Sequence, residues 1–190
     1  MEALLSYIRY YVTLSPEEEQ AVRDTYKMKT YPKGHILIHE GQVCQHMFFI
    51  SKGVCRTYHD HSKKEVTTWI YPEMNFVTSW SSFIQQTPGF ESLQVLEDDT
   101  ELAFITKESL QQLYDRFRSI ERFGRHLAEE QLAQIDDYAR GYSLLSAREK
   151  YDALLQFFPG VTQRVNLGYI ASMLGITQET LSRIRRRQNQ

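Results

Sequence analysis

The sequence predicts an α+β protein in three parts: an N-terminal antiparallel β-sandwich or barrel, one long helix, and a small all-helical C-terminal unit. Three observations predict it. Up to about residue 105, short apolar runs alternate with turn signals. From Ser119 to Leu145 there is no proline, and apolar residues recur at helical spacing. From Ser146 onward the pattern stays helical but is broken by Pro159-Gly160.

Taken in order, the first helix is announced by Ser15-Pro16-Glu17-Glu18. It has a capping Ser, Pro at the first helical position and Glu three residues after the cap. After Pro32-Lys33-Gly34 the period changes to two. His35 to His39, Met47 to Ile50, Val54 to His59 and Val66 to Tyr71 read as strands, the last two joined by a polar loop from Asp60 to Lys64. Leu93 to Leu96 and Leu102 to Ile105 read as another pair around Asp98-Asp99. Thr106-Lys107-Glu108 opens a helix that reaches about Phe117.

The long helix follows. At 1.5 Å per residue its expected 27 residues span roughly 40 Å. Ala128, Leu132, Ile135, Ala139 and Tyr142 form one apolar stripe, and Ile120, Phe123 and Leu127 form a second at its start. A small β domain covers one stripe, so the first is expected to form a seam between two copies of the chain. The alternative is a helix packed wholly within one copy. Ser146-Ala147-Arg148-Glu149 is a second capping box, and its helix carries Tyr151, Leu154, Leu155 and Phe158. Two short helices are expected after Pro159-Gly160. The expected division is therefore 1–118, 119–145 and 146–190.

Composition excludes several classes. Apolar residues make up 42% and charged residues 24% of the 190, which is globular rather than disordered or fibrous. A net charge of -2 does not point to nucleic acid, but its distribution does: Arg183-Ile184-Arg185-Arg186-Arg187 is densely basic. Cys44 and Cys55 form no CxxC pair and read as free thiols in a reducing compartment. The start lacks a basic segment and a long apolar run, so no signal peptide is expected. No stretch approaches the roughly 18 apolar residues of a membrane span. The expected location is cytoplasmic.

Residues 166–187 carry the most specific pattern. Ile170, Leu174, Ile176, Leu181 and Ile184 can form a small core between two crossing helices. Ala171 permits their close approach, and Gly175 supplies the positive φ that ends the first helix. Thr177 caps the second helix, and Glu179 sits in its first turn. This is a helix-turn-helix. Its second helix is expected to present Gln178, Glu179, Ser182, Arg183 and Arg186 to base edges or phosphates, with Arg185 and Arg187 suited to phosphates. The bland alternative is a helical cap with a solvated basic tail.

The run from Tyr169 to Arg183 resembles the DNA-binding signature of the Crp/Fnr family of bacterial transcription regulators. Lys33-Gly34-His35-Ile36-Leu37 with Glu40-Gly41, and Phe49-Ile50-Ser51-Lys52-Gly53, resemble that family's β-roll. The resemblance covers nearly the whole chain. It implies a cyclic-nucleotide-binding-like β-roll of jelly-roll type, a long dimerisation helix and a winged-helix-like DNA-binding domain. It places Gln178, Glu179 and Arg183 on base-reading positions. The sequence ends at Gln190, so the expected wing is truncated, with the arginine run taking over some of its phosphate contacts.

One departure bears on the ligand. The family's cyclic-nucleotide pocket uses a Gly-Glu pair and an Arg for the phosphate. Thr78 and Ser79 stand at the Gly-Glu position, and Glu91 lies where a cation is needed. Cyclic AMP or GMP in the usual mode is therefore not expected. Thr78, Ser79, Ser81 and Ser82 remain as candidate lining for a pocket that holds another ligand or none.

A rival reading starts from Gly53, His59, His61 and Glu65, whose spacing resembles the first metal motif of cupins. It lacks a later strand His, since His126 falls in the long helix, and Pro72 replaces the closing Gly. A third reading is a nucleotide-sensing adaptor without DNA binding. There is no nucleophile elbow, phosphate loop or catalytic triad, so no catalytic residue, metal or cofactor is expected. The expected partners are double-stranded DNA and a second copy of the chain, with RNA polymerase and a small-molecule effector as further candidates and no membrane.

Overall fold

The computed structural model describes residues 1–62 and 64–188, without the side chains of Ser143, Arg187 and Gln188. Its first half is a β-roll of two four-stranded antiparallel sheets. One sheet has the order β1 (Lys27–Tyr31), β8 (Thr100–Thr106), β3 (His46–Lys52), β6 (Phe76–Val77). The other has the order β2 (Ile36–Ile38), β7 (Ser92–Val95), β4 (Cys55–His61), β5 (Lys64–Tyr71). Every strand expected from sequence is present. The polar loop expected from Asp60 to Lys64 is tighter than that, because β4 continues to His61 and β5 resumes at Lys64, with His61 paired to Lys64. Two strands lacked a signal. β1 is a polar edge strand whose first four residues are exposed, and β6 is two residues long.

Two N-terminal helices, α1 (Glu2–Tyr11) and α2 (Pro16–Thr25), pack on the first sheet. The Ser15 capping box forms as expected: the Ser15 N–H donates to Glu18 Oε2 at 2.7 Å and the Glu18 N–H to Ser15 Oγ at 3.3 Å. Leu4, Leu5 and Ile8 of α1 are fully buried against β3, whose residues Met47 to Ile50 are all buried. A strand buried on both faces reads as a continuous apolar run rather than an alternation. Helix α3 (Trp80–Gln85) crosses between β6 and β7, and α4 (Lys107–Arg116) follows β8 with Thr106 as its cap. Cys44 and Cys55 are both free and buried.

Helix α5 runs Arg118–Arg140 and stops five residues short of the expected Leu145. Gly141 ends it, and Tyr142–Leu144 form a 3-10 turn. Ile120, Phe123 and Leu127 join the β-roll core, as the inner stripe required. The C-terminal helices are α6 (Ala147–Phe157), capped by the Ser146 box, then α7 (Val161–Arg164), α8 (Leu167–Leu174) and α9 (Gln178–Gln188). The four-residue α7 is additional to the two short helices expected. No helix among the described residues is long and apolar enough to cross a membrane.

Candidate nucleic-acid interface

The two helices at 166–187 are built by their caps. Asn166 Oδ1 accepts from the Gly168 N–H at 2.7 Å and starts α8. Gly175 ends α8 with φ +69, and the N–H groups of Gly175 and Ile176 return to the carbonyls of Ser172 and Ala171 at 3.0 Å each. That pair of bonds needs a left-handed residue, which only glycine adopts without strain. Thr177 Oγ1 then accepts from the Thr180 N–H at 3.2 Å and starts α9. Ile170, Ala171, Leu174 and Leu181 are buried between the helices, with Ile176 and Ile184 packed against them.

With that face of α9 turned inward, its other residues fall on one arc. At about 100° per residue, Gln178, Glu179, Ser182, Arg183 and Arg186 lie within roughly 140°. Gln178, Glu179, Arg183 and Arg186 are exposed, and Ser182 is half-buried. Among the described residues neither Arg183 nor Arg186 has an ion-pair partner. Hydrogen bonds from its own backbone N–H and from Thr177 hold the Glu179 carboxyl below the usual carboxylate value. It is therefore an ionised acceptor at the head of the helix. The Gln178 amide nitrogen lies close above Gly168, 2.6 Å from where a Cβ there would stand. Arg185 differs from its neighbours: it is half-buried beside the Tyr151 hydroxyl of α6. Arg187 lies outside the described side chains.

Contacts that the sequence did not announce hold α8 against the second sheet. Val54, Ile70 and Leu96 of the roll share one apolar cluster with Tyr151, Leu154, Ile170 and Leu181. Arg56 is 1% exposed, stacks between Tyr58 and Tyr169 at 4.2 and 3.7 Å, and pairs with Glu65. Arg164 pairs with both Glu73 and Glu97 at 2.6 Å. The Thr67 N–H donates to Ser172 Oγ at 3.0 Å. Each joins residues roughly ninety or more apart or on separate elements, so no local pattern could reveal it.

The roll interior is occupied by its own side chains. Thr68 Oγ1 donates to Thr57 Oγ1 at 2.7 Å and lies 3.2 Å from Glu91 Oε2. Burial pushes the Glu91 carboxyl above its ordinary value, against the opposite pull of the Thr68 and Thr57 hydroxyls. Burial, with the Glu91 charge nearby, also raises the neighbouring Tyr71 hydroxyl. A half-buried carboxylate with no cation paired to it among the described residues repels a phosphate. Glu91→Gln is expected to raise the thermal midpoint by a few degrees at pH 7, since the folded state no longer holds a partly desolvated charge. The sign follows from the raised value: the charge costs nothing below the unfolded carboxyl value and its full amount above the folded one. The gain should vanish in melts below about pH 4; a gain that persists there would assign it to packing.

Of the four candidate lining hydroxyls, Thr78, Ser79 and Ser82 are buried and Ser81 is exposed on α3. Thr78 Oγ1 donates to the His46 carbonyl at 2.9 Å, and Ser82 Oγ accepts from the Cys44 N–H at 2.8 Å. Both hydroxyls are engaged in holding the chain around α3. Ser79 Oγ is buried without a partner among the described residues, close to Gly89. The rival metal motif does not assemble. The His59 and His61 rings are 6.5 Å apart, Glu65 is taken by Arg56, and the described residues hold no group of three His, Cys, Asp or Glu able to bind a metal.

The outer stripe of α5 is split. Ala128, Leu132, Ile135 and Ala139 are exposed, Leu132 at 68% and Ile135 at 60%. Tyr142 lies beyond the helix end and stacks on Tyr138 at 5.2 Å, with Trp69 at 5.9 Å.

Comparison with known proteins agrees with this geometry. The family model of the cyclic nucleotide-binding domain matches residues 28–117. No curated protein matches the chain. Among solved structures, the catabolite activator protein of Thermus thermophilus is 22% identical, with 92% of this chain and 83% of that one covered at a TM-score of 0.58. CLP of Xanthomonas campestris, described as a c-di-GMP responsive global regulator, is 17% identical with 92% of each chain covered and a TM-score of 0.65. FixK2 of Bradyrhizobium japonicum is 15% identical, covers 87% and 85%, and has a TM-score of 0.69. Residues 28–117 are thus similar to the cyclic nucleotide-binding domain, and the chain as a whole shares the fold of these solved regulators.

Proposed function

We propose that the chain is a sequence-specific DNA-binding transcription regulator of the Crp/Fnr type, acting as a homodimer in the cytoplasm. One observation carries the reading. Helix α9 buries one face in a capped helix-turn-helix and leaves Gln178, Glu179, Arg183 and Arg186 together on the other. Arg and Gln are the side chains that read guanine and adenine bidentately in the major groove, and Glu accepts from cytosine. On this reading residues 1–118 form the sensor, 119–145 the dimerisation segment and 146–190 the DNA-binding domain. Ser182 and Arg187 join the contact surface, while Arg185 acts on phosphate only if it leaves Tyr151. The Glu91 carboxylate inside the roll supports a regulator that does not answer to cyclic AMP. RNA polymerase and a small-molecule effector are its further candidate partners, and the protein is not an enzyme.

The experiment is chromatin pull-down of the native protein followed by a motif search. Two inverted half-sites about one helical turn apart are expected, because two-fold symmetry in the protein is mirrored in its operator. Absence of any enriched motif, with no retention on duplex beyond that of nonspecific cations, would overturn the proposal.

A further inference from the structure

The inner face of α5 changes character half-way along. Ile120, Phe123 and Leu127 fill the core. At about 100° per residue the same face continues through Gln131, Gln134 and Tyr138. Those three residues line a cavity of about 560 Å³ between the roll, α5 and α6. Amide side chains on a face that elsewhere carries Phe and Leu mark a place where the helix meets something other than core.

The remaining walls are aromatic. Trp69 of β5 has Tyr138, Tyr142 and Phe157 around it at 6.2, 5.9 and 6.2 Å, in edge and tilted arrangements. The Tyr142 hydroxyl is buried and has no hydrogen-bond partner among the described residues. A buried hydroxyl without a partner is unusual and costly, and it marks a missing acceptor. Burial first, then the neighbouring Tyr138, raises this group to about 12, so it keeps its proton at neutral pH. Asp137 is the one charged residue among the lining, which disfavours an anion. Few convergent polar groups set in an apolar cleft of this size are the usual make-up of a small-molecule site.

We propose that the cavity between β5, α5 and α6 binds a small, planar, uncharged aromatic molecule whose acceptor atom takes the Tyr142 hydrogen bond. The site adjoins the roll interior through Tyr71, which lines the cavity and neighbours Glu91, and extends from there past Trp69 to α6. It is separate from the exposed stripe of Leu132 and Ile135, which lies roughly a quarter turn round the helix from Gln131, Gln134 and Tyr138. Because its walls come from the roll, α5 and α6 together, an occupant holds these three in their present arrangement. That holds whether or not α9 binds DNA.

Prodan, an uncharged naphthyl ketone with polarity-sensitive emission, is the probe. Titrated into the full chain, it should give saturable, blue-shifted emission at one site per chain. In a Trp80→Phe background, Trp69 is the remaining tryptophan, and its emission should be quenched over the same range. Ala153→Trp, which fills the cavity from α6, should weaken binding at least about tenfold. Tyr142→Phe removes a hydroxyl that bonds to none of the described residues, so the fold should stand while prodan affinity falls several-fold and bound emission shifts further to the blue. The proposal is overturned by absence of saturable binding, by affinity and emission unchanged in Tyr142→Phe, or by affinity that drops as protein concentration rises. The last outcome would mean that a second copy of the chain fills the cavity.

Discussion

Arg183→Ala is expected to lower affinity for the operator by roughly 1–3 kcal/mol per half-site and to relax preference at one base pair in each. The geometry is favourable to base contact. Arg183 is exposed near the middle of α9, on the arc shared with Gln178, Glu179 and Arg186, and no described acidic group holds it back. A guanidinium there is free to pair with the O6 and N7 edge of a guanine, and every substituted base would then lose the same bidentate pair. Loss of the positive charge has a separate effect. A phosphate contact contributes equally on all sequences and adds about one to the salt slope. Fluorescence anisotropy on the operator, on a single-base variant and on unrelated duplex, each at two salt concentrations, separates the two. Equal losses on all three duplexes would place Arg183 on the backbone and remove it from sequence reading.

Where chemistry is local, the residues announced their structure. The Ser15 and Ser146 capping boxes, Thr106 before α4, and the Gly175 turn each depend on atoms within a few residues, and each forms. The six strands marked by apolar runs between turn signals were equally clear. β1 was silent because Lys27, Lys29 and Thr30 are polar and all of Lys27 to Thr30 is exposed; it is a strand only because β8 offers its edge. α1 was missed: Leu4, Leu5 and Ile8 fall at helical spacing, but Met1 at its cap position offers no capping side chain and nothing local names β3 as its partner. The helix-turn-helix core was legible for the same local reason as the caps. What surrounds it was not: Arg164 meets Glu73 and Glu97 across the chain, and Arg185 meets Tyr151 because α6 happens to pass there. The end of α5 was misplaced by five residues, since a lone Gly141 is tolerated inside many helices and here ends one.

Leu132→Asp with Ile135→Asp is expected to turn the protein from dimer to monomer and to cost at least about a hundredfold in operator affinity. The reasoning starts from the isolated helix. From Leu132 to Arg140 every residue of α5 is exposed, and apart from the Tyr138 contacts with Trp69 and Tyr142 this segment gains little cover from the described chain. Its help comes from pairs such as Arg140–Asp136 at 2.7 Å, and such pairs contribute only about 0.3–0.5 kcal/mol. A solitary helix of that length is marginal in water. A second copy packed along Ala128, Leu132, Ile135 and Ala139 would cover the stripe in both chains. Burying Leu132 and Ile135 is worth about 1.5–3 kcal/mol each, and four such side chains meet in a two-fold seam. Placing carboxylates there removes that burial and sets like charges against each other. Both residues are exposed within one chain, so the roll should keep its near-ultraviolet dichroism while sedimentation equilibrium reports half the mass. Half-sites would then be bound one at a time, without the effective concentration that linkage supplies. If the doubly substituted protein sediments as the parent does, the copies meet elsewhere, and the exposed half of α5 needs a different partner.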